Sequence, residues 1–106
     1  MKLFDVLKKL DINENLKEYE SIENGVLLDV RTEEEYALGH IPKSKNLPLQ
    51  VIDKAGKFIS NKEDKVFVYC RSGNRSGMAQ EMLKNMGYKN VKNIGGIIEY
   101  SGAIEC

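Results

Sequence analysis

Apolar positions along this chain switch repeatedly between a helical period and short continuous runs. Leu3, Phe4, Leu7 and Leu10 recur at helical spacing, so the opening segment reads as a short amphipathic helix. Asn13 is placed to cap a second helix running through Leu16 and Tyr19 toward Ile22. After Asn24-Gly25, Val26-Leu27-Leu28-Asp29-Val30 has the near-continuous apolar character of a strand covered on both faces. Thr32 and Glu35 form a T-x-x-E capping box, which starts a helix near Glu33 that stops at Gly39.

His40-Ile41-Pro42 has to be turn or extended chain, because proline disfavours helix in the residue before it. Asn46-Leu47-Pro48-Leu49 reads as a short strand leading into a helical turn around Val51-Ile52. Residues 53–65 are mainly polar and read as loop with a brief helical turn. Val66 to Tyr69 give the next strand. Met78, Ala79, Met82, Leu83 and Met86 then mark one face of a helix ending at Gly87, and this methionine-rich stripe reads as core. Val91 to Ile94 give the last strand, Gly95-Gly96 a sharp turn, and Ile97 to Gly102 a closing helical turn.

Strands alternating with helices predict an α/β fold with a central, mostly parallel sheet and helices on both faces. In such sheets sites form at the carboxyl ends of the strands. Two strands carry polar residues at that end: Asp29 and Arg31 in one, Cys70 and the residues after it in the other.

With 106 residues the chain suits one domain over 1–106, in which residues 1–11 form an N-terminal helical extension. Lys+Arg and Asp+Glu both total 16, and this balance gives no support for nucleic-acid or anionic-membrane binding. The charged opening segment lacks a signal peptide's apolar stretch, and no membrane span is evident, so the default expectation is a cytoplasmic monomer. Two cysteines and one histidine fall short of a four-ligand structural zinc site, so neither metal nor cofactor is expected. A Cys70–Cys106 disulfide is disfavoured in a reducing compartment.

The candidate chemistry sits in Cys70-Arg71-Ser72-Gly73-Asn74-Arg75-Ser76, directly behind the strand at Val66. Only three of the sixteen basic residues are arginine, and two of them are in this loop. Arginine's planar fork matches sulfur and phosphorus oxyanions better than lysine's point charge does. Cysteine reacts as the thiolate, yet no histidine stands near in sequence to act as its base. A loop whose N–H groups turn inward, closed by a helix N-terminus and flanked by Arg71 and Arg75, would lower the thiol pKa instead. Gly73 allows the backbone angles of such a curl.

Spacing separates two chemistries. Cysteine phosphatases and arsenate reductases use C-x5-R, whereas Cys70 to Arg75 is C-x4-R, with Ser76 where the longer loop has its arginine. The shorter loop makes a smaller cradle, better suited to one sulfur on the thiol than to a phosphoryl group.

The chain resembles the single-domain rhodaneses, a family of sulfurtransferases. The resemblance rests on Leu28-Asp29-Val30-Arg31 through Glu35-Tyr36, Gly39-His40-Ile41-Pro42 and Asn46-Leu47-Pro48-Leu49. To these it adds Val68-Tyr69-Cys70 through Ser76 and, more weakly, Asn93-Ile94-Gly95-Gly96-Ile97. It spans residues 26–102, and implies a single rhodanese-like domain. Three positions depart from the family pattern. Tyr100 stands where the family often has tryptophan, Lys43-Ser44 where it usually reads Gly-Ala, and the chain closes early at Ile104-Glu105-Cys106.

The resemblance implies that Cys70 takes a sulfane sulfur from a donor such as thiosulfate and carries it as a persulfide. An acceptor thiol, a protein, or cyanide in an assay then receives it. Arg71, Ser72, Gly73, Asn74, Arg75 and Ser76 would bind the donor, with both arginines drawing its sulfonate. Ser72 and Ser76 would hydrogen-bond the outer sulfur or cap the helix. Asp29, Arg31, Glu35 and His40 are structural supports, with Asp29 and Arg31 expected to form internal hydrogen bonds or an ion pair with Glu35 and His40 stabilising its turn. Tyr36 reads as core, and Cys106 is a candidate resolving thiol. Two alternatives stand beside this reading: a non-catalytic sulfur-relay or regulatory interaction module, and a cysteine phosphatase or arsenate reductase.

Overall fold

A computed structural model describes residues 11–106 of the chain. The expected helix through Leu3, Phe4, Leu7 and Leu10 lies outside these residues. Four strands, β1 (Val26–Asp29), β2 (Lys45–Asn46), β3 (Lys65–Cys70) and β4 (Asn90–Gly96), make one all-parallel sheet in the order β2-β1-β3-β4. Among the described residues three α-helices accompany it: α1 (Ile12–Glu20), α2 (Glu33–Leu38) and α3 (Asn74–Asn85).

The buried run of β3 alternates between two cores, since successive side chains point to opposite faces. Phe67 and Tyr69 join Leu27, Ile94, and Ile12 and Leu16 of α1 on one face. Val66, Val68 and Cys70 join Leu28, Val91, and Ala79 and Leu83 of α3 on the other. Helices therefore cover both faces, as the apolar runs imply.

Several elements begin or end elsewhere than expected. Helix α1 is capped by Asp11, whose carboxylate accepts the N–H groups of Asn13 and Glu14. Ile12, with no exposed surface, draws the first turn in, so the cap falls two residues before Asn13. Asn13 instead ties down the chain's end, donating to the Glu99 carbonyl and accepting from the Ser101 N–H. The helical turn expected around Val51-Ile52 continues into the segment expected as loop, as one 3-10 helix, Leu49–Lys57, kinked at Val51, that buries Ile52 and Ala55. Its polar residues face solvent at a period too tight for the α-helical template.

The methionine stripe is narrower than the sequence suggests. Ala79 and Leu83 are fully buried and Met86 packs against them, but Met78 is 56% and Met82 41% exposed. Both sit to one side of the line from Ser76 through Ala79 to Leu83, which faces the sheet. Gly95 and Gly96 do not make a sharp turn; they extend β4 and pair with Tyr69 and Cys70. The bend comes from a register shift opposite Val68/Tyr69, with Gly95 at φ +111°. The closing helical turn is shorter than expected, a 3-10 turn over Ile97–Glu99.

The turn at Ile41–Ser44 is held to β3 by Tyr69, whose hydroxyl accepts the Ile41 N–H at 3.0 Å and lies 2.9 Å from Ser44 Oγ. Lys43 here has φ +74°, a left-handed conformation. A departure from Gly at this position therefore concerns backbone strain as well as surface charge.

Candidate active site

The order β2-β1-β3-β4 makes β1 and β3 neighbours whose connections leave in opposite directions, β1 toward β2 and β3 toward β4. A crevice forms at the carboxyl ends of such a pair. Cys70, the last residue of β3, lies there with 1% of its surface exposed.

The loop after Cys70 curls back onto the sulfur. Gly73, at φ +104°, is the N-cap of α3, and its N–H donates to Cys70 Sγ at 3.0 Å. The N–H groups of Ser72 and Ser76 face the sulfur and favour its charged form, and the Ser76 hydroxyl lies 3.3 Å from it. Burial pushes the thiol pKa up, because it disfavours the charged form. The bonds from the Ser76 hydroxyl and from the N–H groups of Ser76, Gly73 and Ser72 outweigh it and hold the thiol below its ordinary value. The nest expected from the spacing is therefore formed by the loop and the first turn of α3.

The two arginines have different surroundings. Arg75 makes a bidentate pair with Glu35 of α2, at 2.7 and 3.0 Å. This pair spans the crevice from the element after β1 to the element after β3. Glu35 also accepts the Thr32 N–H at 3.0 Å, completing the capping box of α2. The Arg75 fork, opposed by burial and then helped by the Thr32 bonds and the Arg75 charge, holds the Glu35 carboxyl down to about 2. Arg71 is exposed, and among the described residues its guanidinium has no hydrogen bond or ion pair.

Of the two expectations for Asp29 and Arg31, the internal hydrogen bonds form and the ion pair with Glu35 does not. Arg31 is buried against Asp29, donating Nη2 to Oδ2 at 2.6 Å, and it also reaches the Gly39 carbonyl at 2.7 Å. Burial opposes the charge on Arg31, but its bonds to Asp29 raise the guanidinium pKa overall. Glu35 is left for Arg75, whose fork fits it from across the crevice. His40 stabilises its turn, with Nδ1 2.9 Å from the Tyr36 carbonyl and its ring stacked 3.7 Å from the Tyr36 ring. Tyr36 is half-buried and donates its hydroxyl to the Ser44 carbonyl. Asn74 and Ser72 are exposed. Ser76 is fully buried inside α3, facing the sulfur, and the α3 N-terminus has no side-chain cap. Cys106 is a free, exposed thiol, its Sγ 3.6 Å from the Leu38 carbonyl.

One side chain at the site was missed by sequence reasoning. Asn93 of β4 accepts the Ser76 hydroxyl at 2.7 Å and donates to the Gly73 carbonyl at 3.1 Å. A polar residue inside Val91–Ile94, just ahead of two glycines, was the available signal. Gly96 lies against the opposite side of the loop: a Cβ there would clash with the Arg71 carbonyl oxygen and fall 2.5 Å from Ser72 Cα.

A family model described as a rhodanese-like domain matches residues 11–103. The chain belongs to the rhodanese-like domain family. Thiosulfate sulfurtransferase PspE of Escherichia coli is 41% identical over 71 residues, covering 66% of this chain and 68% of that protein. The adenylyltransferase and sulfurtransferase uba4 of Ogataea parapolymorpha is 40% identical over 80 residues, which is 74% of this chain. The matching part spans about a fifth of that longer relative, 21%. A solved structure described as rhodanese with anions from Escherichia coli superposes with a TM-score of 0.72 at 34% identity. That superposition covers 76% of this chain and 96% of the other. Among the described residues no helix is long and apolar enough to cross a membrane, and no cluster of His, Cys, Asp and Glu could hold a metal ion.

Proposed function

We propose that this protein is a sulfurtransferase that moves a sulfane sulfur through a persulfide on Cys70. The Cys70 thiolate attacks the outer sulfur of a thiosulfate-type donor. A new S–S bond forms as the donor's own S–S bond breaks, and sulfite leaves with the electron pair. A thiophilic acceptor then takes the outer sulfur and returns Cys70 as thiolate; with cyanide the product is thiocyanate. The observation that carries this reading is the set of N–H groups converging on a buried sulfur at the mouth of a parallel sheet. Such donors stabilise the thiolate before transfer and the persulfide's negative charge after it. No base is needed in contact with the sulfur, because ionisation is supported by the loop itself.

Arg71 is the better-placed of the two arginines to draw an anionic donor, since Arg75 is already engaged by Glu35. The relatives' names favour sulfur chemistry over phosphoryl transfer at this loop. A second reading draws on the relative in which the matching segment is about a fifth of a longer adenylyltransferase and sulfurtransferase. In it, Cys70 exchanges sulfur with a protein partner and does not use free thiosulfate.

The deciding experiment is incubation with thiosulfate followed by mass spectrometry of the Cys70 peptide, then addition of cyanide. One added sulfur that cyanide removes as thiocyanate, with both signals absent in Cys70→Ser, is the expected outcome. Absence of adduct and of thiocyanate would overturn the thiosulfate reaction. Sulfur acquired only from a protein persulfide would establish the relay.

A further inference from the structure

The Ser76 hydroxyl has one proton and two acceptors within reach: Cys70 Sγ at 3.3 Å and Asn93 Oδ1 at 2.7 Å. We propose that Asn93 is a positioning residue for Cys70, accepting the hydrogen bond of the Ser76 hydroxyl when the sulfur is neutral and yielding it to the sulfur when the sulfur is charged. The proposal rests on the reading of Cys70 as the nucleophile.

The orientation of the Asn93 amide is determined by its neighbours. Its oxygen accepts the Gly95 N–H at 3.1 Å, and its nitrogen faces the Gly73 carbonyl, an obligatory acceptor. Flipping the amide would set oxygen against oxygen and N–H against N–H. Asn93 is itself aimed by the strand: its backbone N–H goes to Gln80 Oε1 of α3 at 2.6 Å, and the register shift follows immediately. Ser76 is fully buried, so bulk solvent does not reach its hydroxyl.

With a neutral thiol, an amide oxygen at 2.7 Å is the stronger acceptor and holds the hydroxyl proton. The thiol proton can then point at Ser76 Oγ. When the thiol ionises, a sulfur anion outcompetes the amide. The hydroxyl rotates toward it, and the Asn93 oxygen keeps its bond from Gly95. No covalent bond changes in this rotation. The charge moves to the outer sulfur when a persulfide forms, and the hydroxyl swings back to Asn93. The pair thus moves one hydrogen bond in step with the charge on Cys70 Sγ, and no buried polar atom goes unpaired in either state.

The test reads the Cys70 pKa directly, as the pH dependence of iodoacetamide alkylation of the Cys70 peptide by mass spectrometry. It needs no sulfur donor, so its outcome is independent of whether thiosulfate is a substrate, and reading the peptide excludes Cys106. Ser76→Ala is expected to raise the Cys70 pKa. Asn93→Ala removes the competing acceptor and is expected to lower it by roughly half a unit. That shift should vanish when both substitutions are combined. Mere loosening of the loop would withdraw N–H donors and raise the pKa, so a rise or no change in folded Asn93→Ala overturns the proposal. Asn93→Asp covers the case of an alanine variant that does not fold. Its carboxylate holds the Ser76 proton more firmly and raises the Cys70 pKa. At least roughly half of that rise should disappear in the Ser76→Ala background. An undiminished rise is plain charge repulsion and also overturns the proposal.

Discussion

The two arginines of the Cys70 loop differ in what they already touch. Arg75 spends its fork on Glu35, whereas Arg71 has its guanidinium in solvent beside the loop. Arg71→Ala is therefore expected to raise the KM for thiosulfate about tenfold, the scale of a charge-assisted hydrogen bond, while leaving transfer from an uncharged polysulfide little changed. Arg75→Ala should lower both together, because it releases the loop from α2. Steady-state thiocyanate formation with the two donors checks this, and equal losses in Arg71→Ala would remove Arg71 from donor binding. Glu35 gives a pH signature. Its folded pKa of about 2 lies below the ordinary 4.5, so the unfolded chain binds more protons between those values. The stabilisation is complete above about pH 5 and is lost as pH falls toward 2. Discounted for its partial exposure, it amounts to about 1–2 kcal/mol. In urea unfolding, the stability gap between the native protein and Glu35→Gln should be flat near neutrality and close progressively below pH 4.5.

At the scale of elements, the site is an assembly of four ends: the last residue of β3, the start of α3, the start of α2 and the last residues of β4. The capping box Thr32–Glu35 starts α2 where the sequence places it, because its bonds are local and depend only on residues three apart. The same carboxylate's reach to Arg75 was not legible, since it joins residues forty positions apart. The ends of β4 tell a similar story. Gly95-Gly96 has the composition of a turn, yet its backbone is paired with β3, and the glycines serve close approach of the Cys70 loop. Two glycine substitutions separate these roles. Gly96→Ala pushes a methyl into the fixed backbone of Arg71 and Ser72 and should cost about 1–3 kcal/mol. It should also return the Cys70 pKa toward its ordinary value. Gly77→Ala, inside α3, meets only Asn93 Nδ2 at an ordinary 3.5 Å and should be neutral or stabilise by up to about 1 kcal/mol. Urea midpoints and thiol titration of the two variants check both.

Over the whole molecule, the sheet order decides where chemistry can occur. The switch between β1 and β3 opens a crevice, and Cys70 enters it because β3 runs one residue past the apolar stretch. Two cores separated by the sheet hold β3 from both sides, so the sulfur stands on a rigid platform. What the sequence determined by itself were local and periodic properties: the alternation of strands and helices, the capping box, the left-handed glycines at 73 and 87, and a thiol ringed by N–H donors. Each follows from steric or hydrogen-bonding rules acting within a few residues. The resemblance to the rhodaneses also rested on contiguous motifs. Only the tertiary structure decided which polar group answers which. It gave Arg31 to Asp29, Glu35 to Arg75 and Ser76 to Asn93, and it left Arg71 without a partner among the described residues. The reason is physical. A charged or hydrogen-bonding side chain has several suitable partners in any sequence of this composition. Burial and strand register select one by bringing it within 3 Å and excluding the water that would otherwise serve as well.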